Sequence, residues 1–193
     1  GSKTHNNLLS YFTQWAYTYD RRYDLSASLR YDESSKFVGS NKHAMFWSIG
    51  AGWNMENEEF LKDINWINQL KVRASMGTNG NQDGIGDFVT FTGYGKTSYN
   101  GNPGYVRIEA GNPDLKWETS RQFDFGVDFK GFDNRVSLSL DYYNKTTKDL
   151  LMFKKISQIS GFSQIPTNAG SIANRGVELS FAVTPIKSDF VWT

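Results

Sequence analysis

The 193 residues hold 18 glycines, 14 phenylalanines, 10 tyrosines and 6 tryptophans, yet only 38% of the chain is apolar, a combination typical of glycine-rich and aromatic-rich strand proteins. The absence of cysteine excludes disulfides, thiolate metal sites and cysteine nucleophiles, and a net charge of +1 with dispersed Lys and Arg leaves no basic footprint for nucleic acid. No apolar run approaches the ~18 residues of a membrane-spanning helix, but the alternating strands of a transmembrane barrel give a much weaker signal and stay compatible.

In chain order, residues 7–19 alternate Leu9, Tyr11, Thr13, Trp15, Tyr17 and Tyr19 with Leu8, Ser10, Phe12, Gln14, Ala16 and Thr18. Successive side chains of a strand point to opposite sides, so this is a strand with two distinct faces. After the short link Asp20-Arg21-Arg22, Tyr23, Leu25, Ala27, Leu29 and Tyr31 oppose Asp24, Ser26, Ser28, Arg30 and Asp32. Residues 43–54 repeat the pattern with Met45, Trp47, Ile49, Ala51 and Trp53 over small or polar partners. Residues 55–68 break the period of two, and the spacing of Phe60, Leu61, Ile64 and Ile67 predicts one or two helical turns. A fourth strand covers 70–77. Residues 78–115, with Asn-Gly, Asp-Gly and Asn-Pro steps, read as a long loop with one internal hairpin.

Residues 117–129 and 135–143 form the next pair of strands. Phe123, Phe125, Val127 and Phe129 share one face, and Glu118, Gln122, Asp124 and Asp128 the other. Residues 145–174 form another long connection. Val177, Leu179, Phe181 and Val183 mark a seventh strand, and residues 190–193 begin an eighth. The links alternate short and long, which in an up-and-down sheet gives one plain rim and one elaborated rim. Residues 55–69 are the exception, a decorated turn on the plain side. Aromatic residues cluster at both rims: Tyr17, Tyr19, Tyr23, Trp53, Phe129 and Phe132 at the short-turn end, and Tyr11, Tyr31, Trp47, Trp117 and Tyr142 at the other. Rings of this kind favour the headgroup level of a membrane. Arg121 shares the apolar face and would cost about 2–4 kcal/mol at midbilayer, which places it toward the long-loop rim. The fold expected is therefore all-β: an antiparallel up-and-down transmembrane β-barrel, of which about eight strands are present. The alternative is a soluble β-sandwich that binds carbohydrate through exposed aromatics.

A set of segments in sequence order resembles the barrel of SusC/RagA-type TonB-linked (TonB-dependent) outer-membrane transporters. They include Tyr23-Asp24-Leu25-Ser26-Ala27-Ser28-Leu29-Arg30-Tyr31-Asp32, Leu70-Lys71-Val72-Arg73-Ala74-Ser75-Met76-Gly77-Thr78-Asn79-Gly80-Asn81-Gln82, Asn112-Pro113-Asp114-Leu115-Lys116-Trp117-Glu118-Thr119, Asp141-Tyr142-Tyr143-Asn144-Lys145 and Asn168-Ala169-Gly170. The resemblance implies that residues 1–193 are a C-terminal part of a barrel of about 22 strands. Its long outside loops would lie at about 33–42, 78–115 and 145–174, and its plug and TonB-binding region would lie outside this sequence. It further implies residence in the outer membrane of a Gram-negative bacterium, contact with outer-membrane lipid, and import of oligosaccharides or peptides with energy from the TonB complex. A SusD-like lipoprotein would be the partner over the long loops.

Little in the chain suggests catalysis. His5 and His43 have no Ser or Asp placed to make a triad, and Glu118, Asp124 and Asp128 lie on one strand face, where glycosidase carboxylates would stand on facing walls. An enzyme and a cofactor are therefore not expected. Glu118, Gln122, Asp124 and Asp128 are expected to face the lumen. Asn81, Asp83 and Asp87 lack the calcium-loop spacing and read as turn formers. For a nutrient, Tyr94, Tyr99, Asn100, Asn102 and Tyr105 offer flat rings and directed amides on an adaptable loop, and these are the expected ligand contacts.

Overall fold

A computed structural model describes residues 5–187, 191 and 192. Its strands are β1 (Leu8–Tyr19), β2 (Tyr23–Ser34), β3 (His43–Asn54), β4 (Ile67–Asn81), β5 (Gly93–Tyr99), β6 (Asn102–Glu109), β7 (Glu118–Gly131), β8 (Val136–Lys148), β9 (Leu151–Lys155), β10 (Gln164–Asn168), β11 (Ser171–Val183), β12 (Ile186–Lys187) and β13 (Val191–Trp192). Seven of them form one antiparallel sheet in the order β1-β2-β3-β4-β7-β8-β11, and the others form three two-stranded hairpins, β5-β6, β9-β10 and β12-β13. The seven strands expected first all enter the sheet. Val191–Trp192, from the expected eighth, pairs instead with Ile186–Lys187, while Phe190 and Thr193 lie outside the described residues.

The registers carry the two faces coherently across the whole sheet. Tyr17, Leu25, Ala51, Ala74, Phe125, Tyr142 and Val177 follow one another across successive strands, as do Thr18, Asp24, Gly52, Arg73, Gly126, Asp141 and Glu178 on the opposite face. Because the side-chain period is two, a slip of one residue in any pair would mix the faces. The apolar face is bare: Leu25 is 56% exposed, Ile49 51% and Val177 66%, with Leu138 exposed and Val127 half-buried. No second sheet covers them among the described residues, which overturns the β-sandwich alternative. A soluble protein of this size would bury such side chains. The polar face is thin at its middle, where Ser26, Ser28, Ser48, Gly50, Ser75 and Gly77 form one contiguous block on β2, β3 and β4.

At the short-turn rim, β1 and β2 are joined by residues 20–22 and β7 and β8 by residues 132–135. Tyr19, Tyr23 and Trp53 stack in a row at centroid distances of 6.5 and 6.4 Å, and Trp66 packs on Phe129 and Phe132 at 6.0 and 5.4 Å. Trp66 is an unexpected member of this belt. Residues 55–66 contain only the 3₁₀ turn Met55–Asn57 followed by three-residue turns, such as Leu61 N to Glu58 O and Ile64 N to Leu61 O. The expected helical turns fail because Asn57, Asp63 and Asn65 favour turns over helix interior. Glu58 is instead folded back onto the rim. It accepts hydrogen bonds from Tyr23 Oη at 2.7 Å, Trp53 Nε1 at 3.0 Å and Arg22 Nη1 at 3.3 Å. The bond from Tyr23, then that from Trp53, hold its carboxyl below the ordinary carboxylate range.

The opposite rim holds the buried apolar core of the described residues: Phe37 and Leu115 at 0% exposure, with Phe46, Trp117 and Ile85 nearly as buried. Trp117 is thus not a membrane-facing ring. It lies one residue before β7, packs on Phe37 at 5.4 Å and Phe46 at 5.9 Å, and donates Nε1–H to Lys42 O at 3.2 Å. The strands also run further into this rim than expected, to Ser34, Asn81 and Lys148.

Candidate functional site

The long-loop rim is braced by side chains that bond backbone groups, which is how irregular chain can be held without a regular ladder. Asn168 donates to Lys116 O and Asp149 O, each at 2.8 Å, and its Oδ1 accepts from Lys116 N at 2.9 Å. Asn112 donates Nδ2–H to Pro166 O at 2.9 Å, while its backbone N donates to Val89 O at 3.0 Å. Glu118 accepts from Asn81 Nδ2 and Leu151 N, both at 3.3 Å. These contacts give physical reasons for the Asn-Pro-Asp-Leu-Lys-Trp-Glu and Asn-Ala-Gly motifs. Asn81 Oδ1 accepts from Asp83 N at 3.0 Å, so it has a turn-forming role.

The expected hairpin within residues 78–115 is β5-β6, closed by Asn100 and Gly101 at φ 48° and 75°. Positive φ at both central residues is the turn whose twist matches paired strands. The five expected ligand residues do not converge on one face. Tyr94 pairs with Arg107 and Tyr105 with Lys96, which puts two exposed tyrosines and two cations on one side. Tyr99, 86% exposed, pairs with Asn102 at the tip and belongs to the other side with Val106.

Beyond that hairpin lies a feature the alternation did not signal, a cleft of about 540 Å³ between the base of β5-β6 and the hairpin β9-β10. Phe91, Ile108, Phe153 and Phe162 supply apolar wall, and Asp87 and Glu109 supply carboxylates. Val89 and Pro166, the two residues whose carbonyls Asn112 engages, also line it. Its walls are therefore held at a set distance.

On the polar face of the sheet, Gln122, Asp124 and Asp128 stand in one column with Glu118, as expected. The sequence did not reveal the arginine that organises them. Arg73 on β4 donates Nε–H to Asp128 at 3.0 Å and Nη2–H to Asp141 on β8 at 2.5 Å, crossing β7 over Gly126. A Cβ at Gly126 would lie 2.6 Å from Arg73 Cζ, so only glycine lets the guanidinium lie down here. Ser139 adds a bond to Asp128 at 2.6 Å. Arg121 stands on the apolar face three residues from the long-loop end of β7, the position its charge requires.

An open antiparallel sheet with one apolar and one polar face, plain turns at one end and folded loops at the other, defines a segment of a transmembrane β-barrel. The family model described as TonB dependent receptor-like, beta-barrel matches residues 1–193, and the chain belongs to that family. It is 40% identical over 192 residues to a TonB-dependent receptor of Formosa agariphila, covering 98% of this chain and 18% of that protein. It is 35% identical over 202 residues to the TonB-dependent receptor SusC of Bacteroides thetaiotaomicron, with 98% and 20% covered. A solved structure of the RagAB peptide importer in its closed-closed state superposes with a TM-score of 0.87 at 36% identity, over 94% of this chain and 20% of that one. The SusC/RagA-type resemblance is borne out, and the chain spans about a fifth of the length of these relatives.

Proposed function

We propose that the chain forms part of the barrel wall of an outer-membrane importer for large nutrients, oligosaccharides or peptides. The TonB complex would power it through a plug supplied by the rest of the protein, and a SusD-like lipoprotein would cover the long-loop rim. The observation that carries this reading is the sheet itself, whose apolar face has no covering layer among the described residues while its polar face carries networks such as Arg73-Asp128-Asp141. Glu118, Gln122, Asp124 and Asp128 face the lumen in this reading, with Glu118 also fixing the loop above it. Tyr94 and Tyr105 meet cargo from one side of their hairpin, and Tyr99, Asn100 and Asn102 meet cargo or lid at its tip. Similarity to SusC and to the RagAB peptide importer supports both the transport class and the partner. The test is uptake of labelled oligosaccharides and peptides by cells carrying the whole receptor. Uptake that stops when TonB is lost is expected, and uptake unchanged by loss of TonB overturns the reading.

A further inference from the structure

The cleft between the bases of β5-β6 and β9-β10 has a composition that selects among cargoes. Its wall is hydrocarbon: Phe91 is 56% exposed, Ile108 58% and Phe153 43%, a concentration of uncovered apolar surface among the long loops. Its two ionisable lining groups are carboxylates. Asp87 accepts one hydrogen bond from Asn6 Nδ2 at 3.0 Å, and among the described residues neither Asp87 nor Glu109 has a cation within ion-pair distance. Lys155, opposite Gln164 in the β9-β10 register, pairs with neither. Pockets that bind small ligands combine such apolar walls with a few placed polar groups in a volume of about 300–1,000 Å³.

We infer that this cleft is a binding subsite for a peptide segment that presents an apolar side chain beside a cationic group. This inference rests on the importer reading and narrows it to peptides at this site. The apolar side chain packs among Phe91, Ile108, Phe153 and Phe162, and the cation lies between Asp87 and Glu109. A neutral sugar would leave both carboxylates without a counter-charge and would meet phenylalanine and isoleucine where tyrosine or an amide would give directed bonds. The walls need little ordering on binding because Asn112 already ties Val89 to Pro166.

The test uses the whole receptor in detergent and calorimetric binding of the peptide Ala-Phe-Lys-Ala, blocked at both ends. The comparisons are its lysine-to-glutamine and phenylalanine-to-alanine analogues and maltoheptaose. The lysine peptide is expected to bind about fivefold more tightly than the glutamine analogue, the scale of one exposed ion pair. That preference should vanish in the Asp87→Asn, Glu109→Gln double variant, while Phe153→Ala should erase the preference over the alanine analogue and keep the charge preference. All three positions are at least partly exposed, and heat-modifiable gel migration checks that each variant still forms a barrel. Equal affinity for the lysine and glutamine peptides overturns the inference, as does a charge preference that survives the double variant. Binding of maltoheptaose with no peptide binding also overturns it, yet leaves an importer of glycans standing. If peptide uptake by cells instead persists without TonB, the importer reading fails, and the binding preferences still decide the cleft.

Discussion

The seven-stranded sheet and the long-loop rim treat their apolar side chains in opposite ways. Along the sheet, backbone pairing is continuous from β1 to β11 and yet residues such as Leu25, Ile49 and Val177 stay uncovered; at the rim, regular pairing is sparse and Phe37 and Leu115 are wholly buried. The difference follows from the surrounding liquid. Hydrocarbon lipid can take the place of a core for the sheet, and inside it only a closed set of hydrogen bonds is tolerable. The loops stand in water and must build a core of their own.

The largest expected effects come from that loop core. Phe37→Ala or Leu115→Ala in the whole receptor should destabilise the rim by about 2–5 kcal/mol. Hydrogen exchange should show residues 82–117 losing protection while β2, β3 and β8 keep theirs; equal loss in both regions would mean that loops and sheet unfold as one. Next in size is the apolar face: Ile49→Arg, far from both rims, should cost about 2–4 kcal/mol in lipid vesicles. Ser48→Arg, its neighbour on the polar face, should cost much less, as read from urea midpoints of vesicle-folded protein. Equal costs at 48 and 49 would remove the distinction between lipid and lumen. The junction of the two regions comes third. A Cβ at Gly80 would lie 2.0 Å from Phe46 Cζ, so Gly80→Ala should lift that ring from the strand and cost about 1–3 kcal/mol. Its signature is faster proteolysis of the loops at an unchanged barrel migration.

The smallest effect is at the plain rim. Because the folded structure lowers the Glu58 pKa, its contribution is fully present above the unfolded carboxylate value of about 4.3 and is lost as pH falls through the lowered folded value. Protection of residues 55–66, measured as exchange relative to the intrinsic rate at each pH, should therefore be steady near neutrality and fall in acid. Glu58→Gln should flatten that pH dependence, and an unchanged acid response would assign it to another group.

Strands and faces were legible because lipid and lumen impose a period of two on every spanning segment, and the alternation of short and long links was legible for the same topological reason. The failures lie where no period exists. Trp117 follows the odd-number parity of Phe123 and Phe125, but it precedes β7, where the chain turns into the loop core and parity ceases to report direction. Trp66 sits in a turn-rich link and meets Phe129 and Phe132 only through the fold. The hairpin β9-β10 joins Leu-Met-Phe-Lys-Lys to Gln-Ile-Pro-Thr-Asn across eight residues, with neither alternation nor a two-residue turn to announce it. The tyrosines proposed to meet cargo were chosen by residue type, yet a strand pairing decides that Tyr94 and Tyr105 share a side and Tyr99 does not. Arg73 carries the polar network, and only the register of β4, β7 and β8 shows which carboxylates it spans.

The block of Ser26, Ser28, Ser48, Gly50, Ser75 and Gly77 has a consequence for bore. Side chains here barely rise above the backbone, so in the barrel proposed above these strands would leave more of the cross-section open than strands carrying long side chains. Charged brackets such as Arg73, which reaches toward Asp128 and Asp141, stand beside that stretch rather than across it.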